Sequence, residues 1–432
     1  MEKLKDALFR AVKDNRTRAQ ETVHEYGDNA RTHAFPIPAI SCLDPLEGTK
    51  FRGKTVSETL ALLPKYPGRE YPSVESFYWF LLTGEVPSEQ EAGLLIEDFK
   101  RRRALPNYVV IVLRALPRDT HPMTMFSAAI FSMQQESVFV KKYNSGIKED
   151  EYWDPMYEDC TNLLAKLPSI ASYIYRMKYK ADTHIPSNTA LDFCGNLAWQ
   201  MGMPERYDDA ARMYFILHSD QEPGNAFPGA THLLSDPYYA LCADFSGLAG
   251  PLRGLANQEA LGWIVGLRSR MGGKVPTEEE MHALIRDTLK AGQDVPGYGH
   301  SVLRKTDPRY MAQREFCLKN LPDDPLFQYV DMLYKVVPSV LEEQGSSRNS
   351  WPNADAQSGV VQWHYGLTEW DFYTVLSGIG RAFGVLSNIV WDCALGCPTQ
   401  RPRSFAARML EELALNTAKS EGIPATSAAH SF

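Results

Sequence analysis

Residues 296–310 of the chain read Pro-Gly-Tyr-Gly-His-Ser-Val-Leu-Arg-Lys-Thr-Asp-Pro-Arg-Tyr. The first part predicts a loop, because proline and glycine favour turns, and His300 lies at the end of that loop. A histidine in such a loop is as often a surface residue as a catalytic one. Asp307 and Pro308 are typical of a helix N-cap and of the first helical position. The segment therefore predicts a loop followed by a helix, with Arg309 in a first turn that also attracts anions.

The same capping chemistry predicts helices elsewhere in the chain. Ser88 with Glu91, and Thr277 with Glu280, form capping boxes, in which a hydroxyl residue precedes a glutamate by three positions. Apolar residues at helical spacing follow each box: Leu94, Leu95 and Phe99 after the first, and Met281, Leu284, Ile285 and Leu289 after the second. Alternating strand patterns are nearly absent, although residues 34–42 predict a brief pairing. The chain is therefore predicted to be all-α.

A long helix is predicted to start after Thr368. Its apolar face repeats with the helical period. The residues of that face are Phe372, Val375, Leu376, Ile379, Phe383, Leu386, Ile389 and Val390. Gly396 and Pro398 are predicted to end the helix, because glycine favours the left-handed terminal conformation and proline cannot continue a helix.

Composition narrows the class of protein. With 432 residues, 44% hydrophobic and 23% charged, the chain is typical of a soluble globular protein with room for two domains. A net charge of −8 and the lack of a long basic run argue against a nucleic-acid partner. No stretch reaches the roughly 20 apolar residues that a membrane span requires. The seven cysteines lack paired spacing, which predicts core thiols in a reducing compartment and no metal site.

The ends of the chain bear on its location in the cell. Residues 1–5 are acidic as well as basic and lead directly into a helical pattern, unlike an arginine-rich transit peptide. Residues 430–432 differ from the peroxisomal Ser-Lys-Leu signal. The predicted location is therefore cytoplasmic, or mitochondrial if a presequence was removed.

The opening segment resembles the signature of the citrate synthase family, and the resemblance covers almost the whole chain. Other segments that resemble family motifs are residues 43–45, 51–53, 165–168, 218–225, 248–259, 351–359, 380–386 and 400–404. The resemblance implies the all-α citrate synthase fold of eukaryotic organelles. In that fold, a large helical domain (residues 1–254 and 363–432) and a smaller helical domain (residues 255–362) enclose an active-site cleft. It also implies a homodimer.

The resemblance implies a Claisen-type condensation, which joins an acyl thioester to the ketone of oxaloacetate. Asp355 matches the base that removes a proton beside the thioester, a task for which desolvation suits a carboxylate. His300 matches the residue that polarises the acceptor carbonyl. Without the resemblance, Asp355 in Pro-Asn-Ala-Asp would be interpreted as a turn or N-cap residue.

Three arginines match the family's carboxylate-binding residues: Arg309, Arg381 and Arg401, of which Arg401 serves the other subunit's site. Arginine suits carboxylates because its planar fork donates two parallel hydrogen bonds. Any one of these arginines alone could equally be a surface salt-bridge residue. That interpretation is weaker for three arginines that all match the family's positions. Gln221 stands where the family has a histidine. Its amide still donates a hydrogen bond, so weaker binding of the dicarboxylate is expected.

The main departure from the family is Arg253, which replaces the histidine that hydrogen-bonds the thioester oxygen as the enolate forms. The loss of one such donor typically lowers the rate about 100- to 1000-fold. Arginine cannot supply a proton, but it stabilises negative charge and could bind an extra carboxylate on an unusual acyl donor. The alternative interpretation is that Arg253 fills space in an inactive site.

No tightly bound cofactor and no metal are expected, and a coenzyme A thioester is the expected co-substrate. The resemblance implies coenzyme A contacts at Val295, Gly297, Tyr298, Gly299, Arg304 and Arg348. Residues 25–43 lack the glycine-rich, arginine-bearing turn with which relatives bind the nucleotide end. Altered coenzyme A binding is therefore expected, and an acyl-carrier protein remains open as the donor.

These observations leave open three hypotheses for the function. The first is a citrate synthase-like acyltransferase with an unusual donor, similar to the alkylcitrate and methylcitrate synthases of fungal secondary metabolism, with weak ordinary citrate synthase activity. The second is a non-catalytic paralogue that binds dicarboxylates. The third is an enzyme that cleaves a carbon–carbon bond with the same residues in reverse. The intact acceptor arginines favour the first, and the changes at Gln221 and Arg253 favour the second.

Overall fold

A computed structural model describes residues 2–26, 40–220, 235–250, 254–345 and 349–396. Within these ranges the strands are β1 (Ser41–Asp44), β2 (Gly48–Phe51) and β3 (Lys54–Thr55). The α-helices, in chain order, are α1 (Glu2–Tyr26), α2 (Val56–Leu62), α3 (Val74–Thr83), α4 (Glu89–Arg102), α5 (Asn107–Ala115), α6 (Pro122–Ser132), α7 (Val138–Asn144), α8 (Trp153–Tyr179), α9 (Phe193–Met201), α10 (Tyr207–Leu217), α11 (Pro237–Leu248), α12 (Ala256–Arg270), α13 (Glu278–Lys290), α14 (Pro308–Asn320), α15 (Pro325–Gln344), α16 (Asp355–His364) and α17 (Tyr373–Leu395). Single 3₁₀ turns cover Gln134–Glu136, Glu149–Glu151 and Trp370–Phe372. The predicted all-α fold class is confirmed. In the part of the chain described, no helix has both the length and the apolarity of a membrane span.

The centre of the fold is the helix pair α8 and α17, which pack on each other and also contact α3, α6, α9, α10 and α11. Every residue of the apolar face predicted for α17 is buried, so the predicted helix is confirmed. It begins at Tyr373, somewhat later than predicted, because residues 370–372 form a tighter 3₁₀ turn first. It ends at Leu395, where Gly396 adopts a φ of +62°.

The predicted helix starts are confirmed by their capping hydrogen bonds. At the start of α4, Ser88 Oγ accepts from the Glu91 backbone N–H at 3.3 Å, and the Glu91 carboxylate accepts from the Ser88 N–H at 2.9 Å. The same reciprocal pair joins Thr277 and Glu280 at the start of α13. Each box satisfies two donors that a helix N-terminus would otherwise leave unpaired.

A small antiparallel sheet supports the start of α14. β1 pairs with β2, and β2 pairs with β3. The pairing predicted for residues 34–42 is present at residues 41 and 42, and residues 34–39 lie outside the described residues. Gly48 opens β2 with a φ of +78°, and a Cβ there would stand 2.3 Å from Pro308 Cγ. The carbonyl of Pro45 accepts a hydrogen bond from the Arg304 N–H at 2.8 Å. The turn therefore contacts the segment that carries Arg309.

Helices α12 to α16 lie within the stretch predicted to form the smaller domain. α12 packs on α15 and α16, α13 packs on α15, and α14 packs on α16. α14 also contacts α2 and α10, which belong to the predicted larger domain. The described residues all belong to one compact unit, Met1–Pro398. The division at residues 254 and 362 stays a prediction.

A buried ion-pair network joins α10 to α9. Arg212 is completely buried, and its Nη2 donates to both carboxylate oxygens of Asp192 at 2.7 Å. Its Nη1 donates to Asp208 at 2.7 Å. Asp192 is also the N-cap of α9, where it accepts the Gly195 N–H at 2.9 Å. The network therefore ties α10, which leads directly to His218, to the N-terminus of α9.

Candidate active site

Two loops meet and hold each other by hydrogen bonds: residues 295–300, here the histidine loop, and residues 349–355, here the aspartate loop. The Asn353 N–H donates to the carbonyl of Gly297 at 2.9 Å. The Asn353 side-chain amide donates to the carbonyl of Gly299 at 3.0 Å. Since the first loop ends at residue 300 and the second at residue 355, these bonds hold the predicted carbonyl-polarising histidine and the predicted base in one rigid arrangement.

Gly297 lies where no side chain fits. Its φ is +80°, a left-handed conformation that favours glycine, and a Cβ there would stand 2.4 Å from Ala356 Cα. Ala356 directly follows Asp355 in α16. The glycine in the loop therefore allows the backbone to approach the start of the helix that carries the aspartate.

The tautomer of His300 follows from its hydrogen bonds. Its Nδ1 accepts from the backbone N–H groups of Val302 at 3.0 Å and Leu303 at 3.1 Å. An acceptor nitrogen carries no hydrogen, so the neutral imidazole carries its hydrogen on Nε2. Burial lowers the pKa of His300 below its ordinary value, and the charge of Arg309 adds to the effect. His300 is therefore a neutral imidazole at pH 7, with Nε2–H as its donor.

Asp307 performs three tasks with one carboxylate. It caps α14 by accepting the Arg309 N–H at 2.9 Å, and it accepts from the Arg309 guanidinium through Nε at 3.1 Å and Nη2 at 2.6 Å. It also accepts the N–H of Ala354, in the aspartate loop, at 3.3 Å. Asp307 is completely buried and Arg309 is 6% exposed. The carboxylate thus orients the guanidinium and holds the backbone next to Asp355.

Asp355 is the first residue of α16. The N-cap is Ala354, which makes no side-chain capping bond, so the interpretation of Asp355 as an N-cap residue is wrong. Its N–H donates to the Asn353 side chain at 2.9 Å, which leaves the carboxylate out of the capping arrangement. Burial raises the pKa of the Asp355 carboxyl, and the charges of Arg309 and Arg381 oppose that rise. A carboxylate that burial makes more basic is suited to removing a weakly acidic proton.

Arg381, on α17, interacts electrostatically with Asp355. Its Nη1 stands 3.9 Å from a carboxylate oxygen of Asp220, which in turn accepts a hydrogen bond from Ser41 at 2.9 Å. That Nη1 is buried and has no hydrogen-bond partner among the described residues. Arg309 and Arg381 both lower the pKa of His218 as well as that of Asp355. The structure therefore brings both arginines, the aspartate and this histidine into one electrostatic cluster.

The predicted coenzyme A contacts are only partly described. Val295 is buried, and Gly297, Tyr298 and Gly299 belong to the histidine loop. The exposed Arg304 donates through Nη1 to three backbone carbonyls, those of Ser301, Val302 and Leu303. The predicted site residues that lie outside the described residues are Gln221, Arg253, Arg348 and Arg401. Their roles stay predictions.

One member of the cluster had no role in the sequence prediction. His218 opens the segment 218–225, whose resemblance to the family drew attention to Gln221 instead. Its side chain is half-buried and stacks on Tyr214, with ring centroids 4.2 Å apart. Only its place in that segment could have indicated that His218 lies near the candidate site. A lone histidine after an apolar helix is otherwise typical of a core position.

Solved structures share this fold. The citrate synthase of Pyrobaculum aerophilum matches with a TM-score of 0.73, at 24% identity, over 85% of this chain and 88% of that one. The citrate synthase of Thermoplasma acidophilum, solved in a ternary complex with carboxymethyl coenzyme A and oxaloacetate, matches with a TM-score of 0.68 at 21% identity, over 85% and 92% of the two chains. At these identities the likeness defines the class of fold.

Sequence comparison defines the family. The family profile "Citrate synthase, C-terminal domain" matches residues 37–403. The mitochondrial citrate synthase of Kajikia audax is 44% identical over 423 residues, which cover 94% of this chain and 90% of that protein. Mitochondrial citrate synthase 4 of Arabidopsis thaliana is 46% identical over 376 residues, or 86% and 79% of the two chains. The chain belongs to the citrate synthase family.

Proposed function

We propose that this protein condenses an acyl thioester with oxaloacetate or a related 2-oxo acid, and that its acyl donor differs from that of ordinary citrate synthases. The observation that supports the proposal is the electrostatic cluster of Asp355, His300, Arg309 and Arg381. A purely structural role does not require a half-buried carboxylate of raised pKa, a neutral imidazole with a defined tautomer and two guanidinium groups at one place.

Each group in the cluster has a task in this reaction. Asp355 takes the proton from the carbon beside the thioester, and the carbanion equivalent attacks the ketone of the 2-oxo acid. His300 donates from Nε2–H to the ketone oxygen, where negative charge develops. Arg309 and Arg381 bind the carboxylates and hold the ketone in place for attack. Water then releases the thiol from the condensed thioester. Run in reverse, the same groups cleave the carbon–carbon bond, so the physiological direction is a separate question.

Arg253 is the residue that sets the proposed donor apart. In the family, a histidine at this position hydrogen-bonds the thioester oxygen. A guanidinium supplies positive charge there but no transferable proton. An acyl donor with an additional carboxylate would meet that charge, as would the anionic arm of a carrier protein. By analogy with the alkylcitrate synthases of the family, we also propose an alkylcitrate-type reaction, with acetyl-CoA as a poor donor.

Arg253→His is expected to raise acetyl-CoA condensation at least about 10-fold, because imidazole, unlike guanidinium, can transfer a proton to the enolate oxygen. Thiol release, followed with a chromogenic disulfide, measures the rate. Activity with the native donor should fall in the same variant if Arg253 binds a group on that donor. Arg270→His, which adds an imidazole at the exposed end of α12, is the matched control and should change neither rate.

The alternative function is a non-catalytic paralogue that binds dicarboxylates, which the changes at Gln221 and Arg253 favour. It predicts no gain with acetyl-CoA in Arg253→His, even after Gln221→His is added. That result would show that the cleft lacks catalytic geometry and would overturn the condensation proposal.

Arg381→Gln is expected to weaken oxaloacetate binding about 10- to 150-fold, because hydrogen bonds to charged groups contribute about 1.5–3 kcal/mol. Calorimetric titration measures the affinity. Arg286→Gln, which removes an exposed arginine paired with Glu343 on α15, should leave the affinity unchanged. An equal affinity in wild type and Arg381→Gln would remove Arg381 from the acceptor pocket.

Other features of the proposal come from the resemblance. We propose a homodimer in which Arg401 completes the neighbouring subunit's pocket. A coenzyme A thioester or an acyl-carrier protein is the proposed donor, bound at the histidine loop with Arg304 and Arg348. The relatives are named as mitochondrial.

A further inference from the structure

His218 holds a position among the acceptor arginines that the proposed mechanism does not use. Its Nδ1 stands 2.8 Å from the Tyr214 carbonyl oxygen, which only accepts hydrogen bonds, so Nδ1 carries a hydrogen. In the neutral imidazole, Nε2 is then a bare acceptor. That nitrogen is buried and has no hydrogen-bond partner within the described part of the chain. Burial, together with the charge of Arg309, lowers the pKa of His218 to about 4.

The helix that carries Arg381 lies directly against His218. A Cβ added at Gly380 would stand 3.5 Å from the His218 Cβ. The Nη1 of Arg381 is, like Nε2 of His218, buried without a hydrogen-bond partner among the described residues. Two unpartnered buried nitrogens on neighbouring elements of the chain indicate a ligand that satisfies both. A carboxylate offers only acceptor oxygens, so it satisfies Arg381 as it stands but satisfies His218 only when Nε2 is protonated.

The charges around His218 favour that proton once a ligand is bound. The titratable and charged groups near it are Tyr214 and Asp220 at its own end of α10, Asp307 and Arg309 at the start of α14, Arg381 on α17, and Asp355, which interacts with the same arginines. In the free protein the charges of Arg309 and Arg381 lower the pKa of His218, and the charge of Asp307 raises it. A bound dicarboxylate adds two more negative charges to a partly buried site, where opposite charge stabilises a cation most strongly.

We infer that His218 takes up a proton when a dicarboxylate binds, and that its Nε2–H then donates to a ligand carboxylate beside Arg381. This inference rests on the proposed function only in requiring a dicarboxylate in the pocket. The free protein keeps His218 neutral. The bound protein holds it as a further cation, and the proton comes from the solvent.

The sign of the pH dependence follows from this linkage. Binding raises the proton affinity of His218, so the ligand binds more tightly as the pH falls. Between the pKa of the free protein and that of the complex, affinity is expected to fall about 10-fold for each unit of rising pH. The carboxylates of oxaloacetate are already ionised throughout the neutral range, so they contribute no slope there.

Calorimetric titration with oxaloacetate in buffers of different ionisation enthalpy, at one pH near 7, counts the protons directly. Wild type should take up about one proton per site. His218→Asn is the matched variant, because its amide keeps a donor for the Tyr214 carbonyl and removes the titratable nitrogen. This variant should take up almost none. His364→Asn, at the far end of α16 beside Asp324, should behave as wild type.

The possible results separate the two proposals. Binding without proton uptake in wild type overturns the role of His218 and leaves the proposed function standing, and this arm requires no variant to fold. Undiminished uptake in a folded His218→Asn protein assigns the proton to another group and also overturns the inference. No oxaloacetate binding at millimolar concentration by wild type would overturn the proposed function itself.

Discussion

Asp355→Asn is expected to lower the rate of condensation about 100- to 10,000-fold, which is the usual contribution of a positioned general base. Asparagine has nearly the shape of aspartate but takes no proton at neutral pH. It keeps the backbone N–H that donates to Asn353, so the start of α16 is retained. Thiol release with a saturating acyl donor measures the effect.

Ligand binding distinguishes this chemical effect from a damaged cleft. The oxaloacetate affinity of Asp355→Asn should match or exceed that of wild type, because the substitution removes a negative charge near Arg309 and Arg381. Asp323→Asn, at an exposed aspartate before α15, is the matched control and should keep the wild-type rate. A loss of less than about 10-fold in Asp355→Asn would exclude Asp355 as the base.

Arg212→Met is expected to lower the free energy of unfolding by about 3–5 kcal/mol, which is typical when one partner of a buried ion pair is removed. Methionine fills part of the space but leaves the carboxylates of Asp192 and Asp208 without their buried cation. Urea unfolding at constant protein concentration measures the loss. Arg286→Met breaks the exposed pair with Glu343 and should lower the free energy by less than about 1 kcal/mol.

The loss in Arg212→Met should depend on pH. The network lowers the pKa of Asp208 below its ordinary value, so the stability that this carboxylate contributes is present above that ordinary value and is lost as the pH falls. The difference between wild type and Arg212→Met should therefore be largest near pH 7 and smaller in acid. A difference that stays constant from pH 7 to pH 3 would show that lost packing, and not lost charge, causes the destabilisation.

Local chemistry explains which parts of the fold the sequence predicts. The capping boxes of α4 and α13 and the apolar face of α17 follow from residues within a turn or two of each other. The family resemblance placed His300, Arg309, Arg381 and Asp355 together, which neither spacing nor composition could do.

Contacts between distant residues explain what the sequence does not predict. Gly48 contacts Pro308, although the two residues are far apart in the sequence. No local sequence pattern predicts that contact. The side chain of Arg212 could equally have pointed to solvent. No local sequence pattern predicts the state of His218. Its tautomer depends on the Tyr214 carbonyl, and the charges that act on it belong to residues at the start of α14 and on α17.

The hydrogen bonds between the histidine and aspartate loops restrict which residues can change during evolution. Asn353 bonds to both glycines of the histidine loop, so a substitution in either loop disturbs the partner loop as well. Neither Gln221 nor Arg253, the positions predicted to differ from the family pattern, belongs to these loops. Substitutions at those two positions are therefore expected to leave the hydrogen bonds between the histidine and aspartate loops intact.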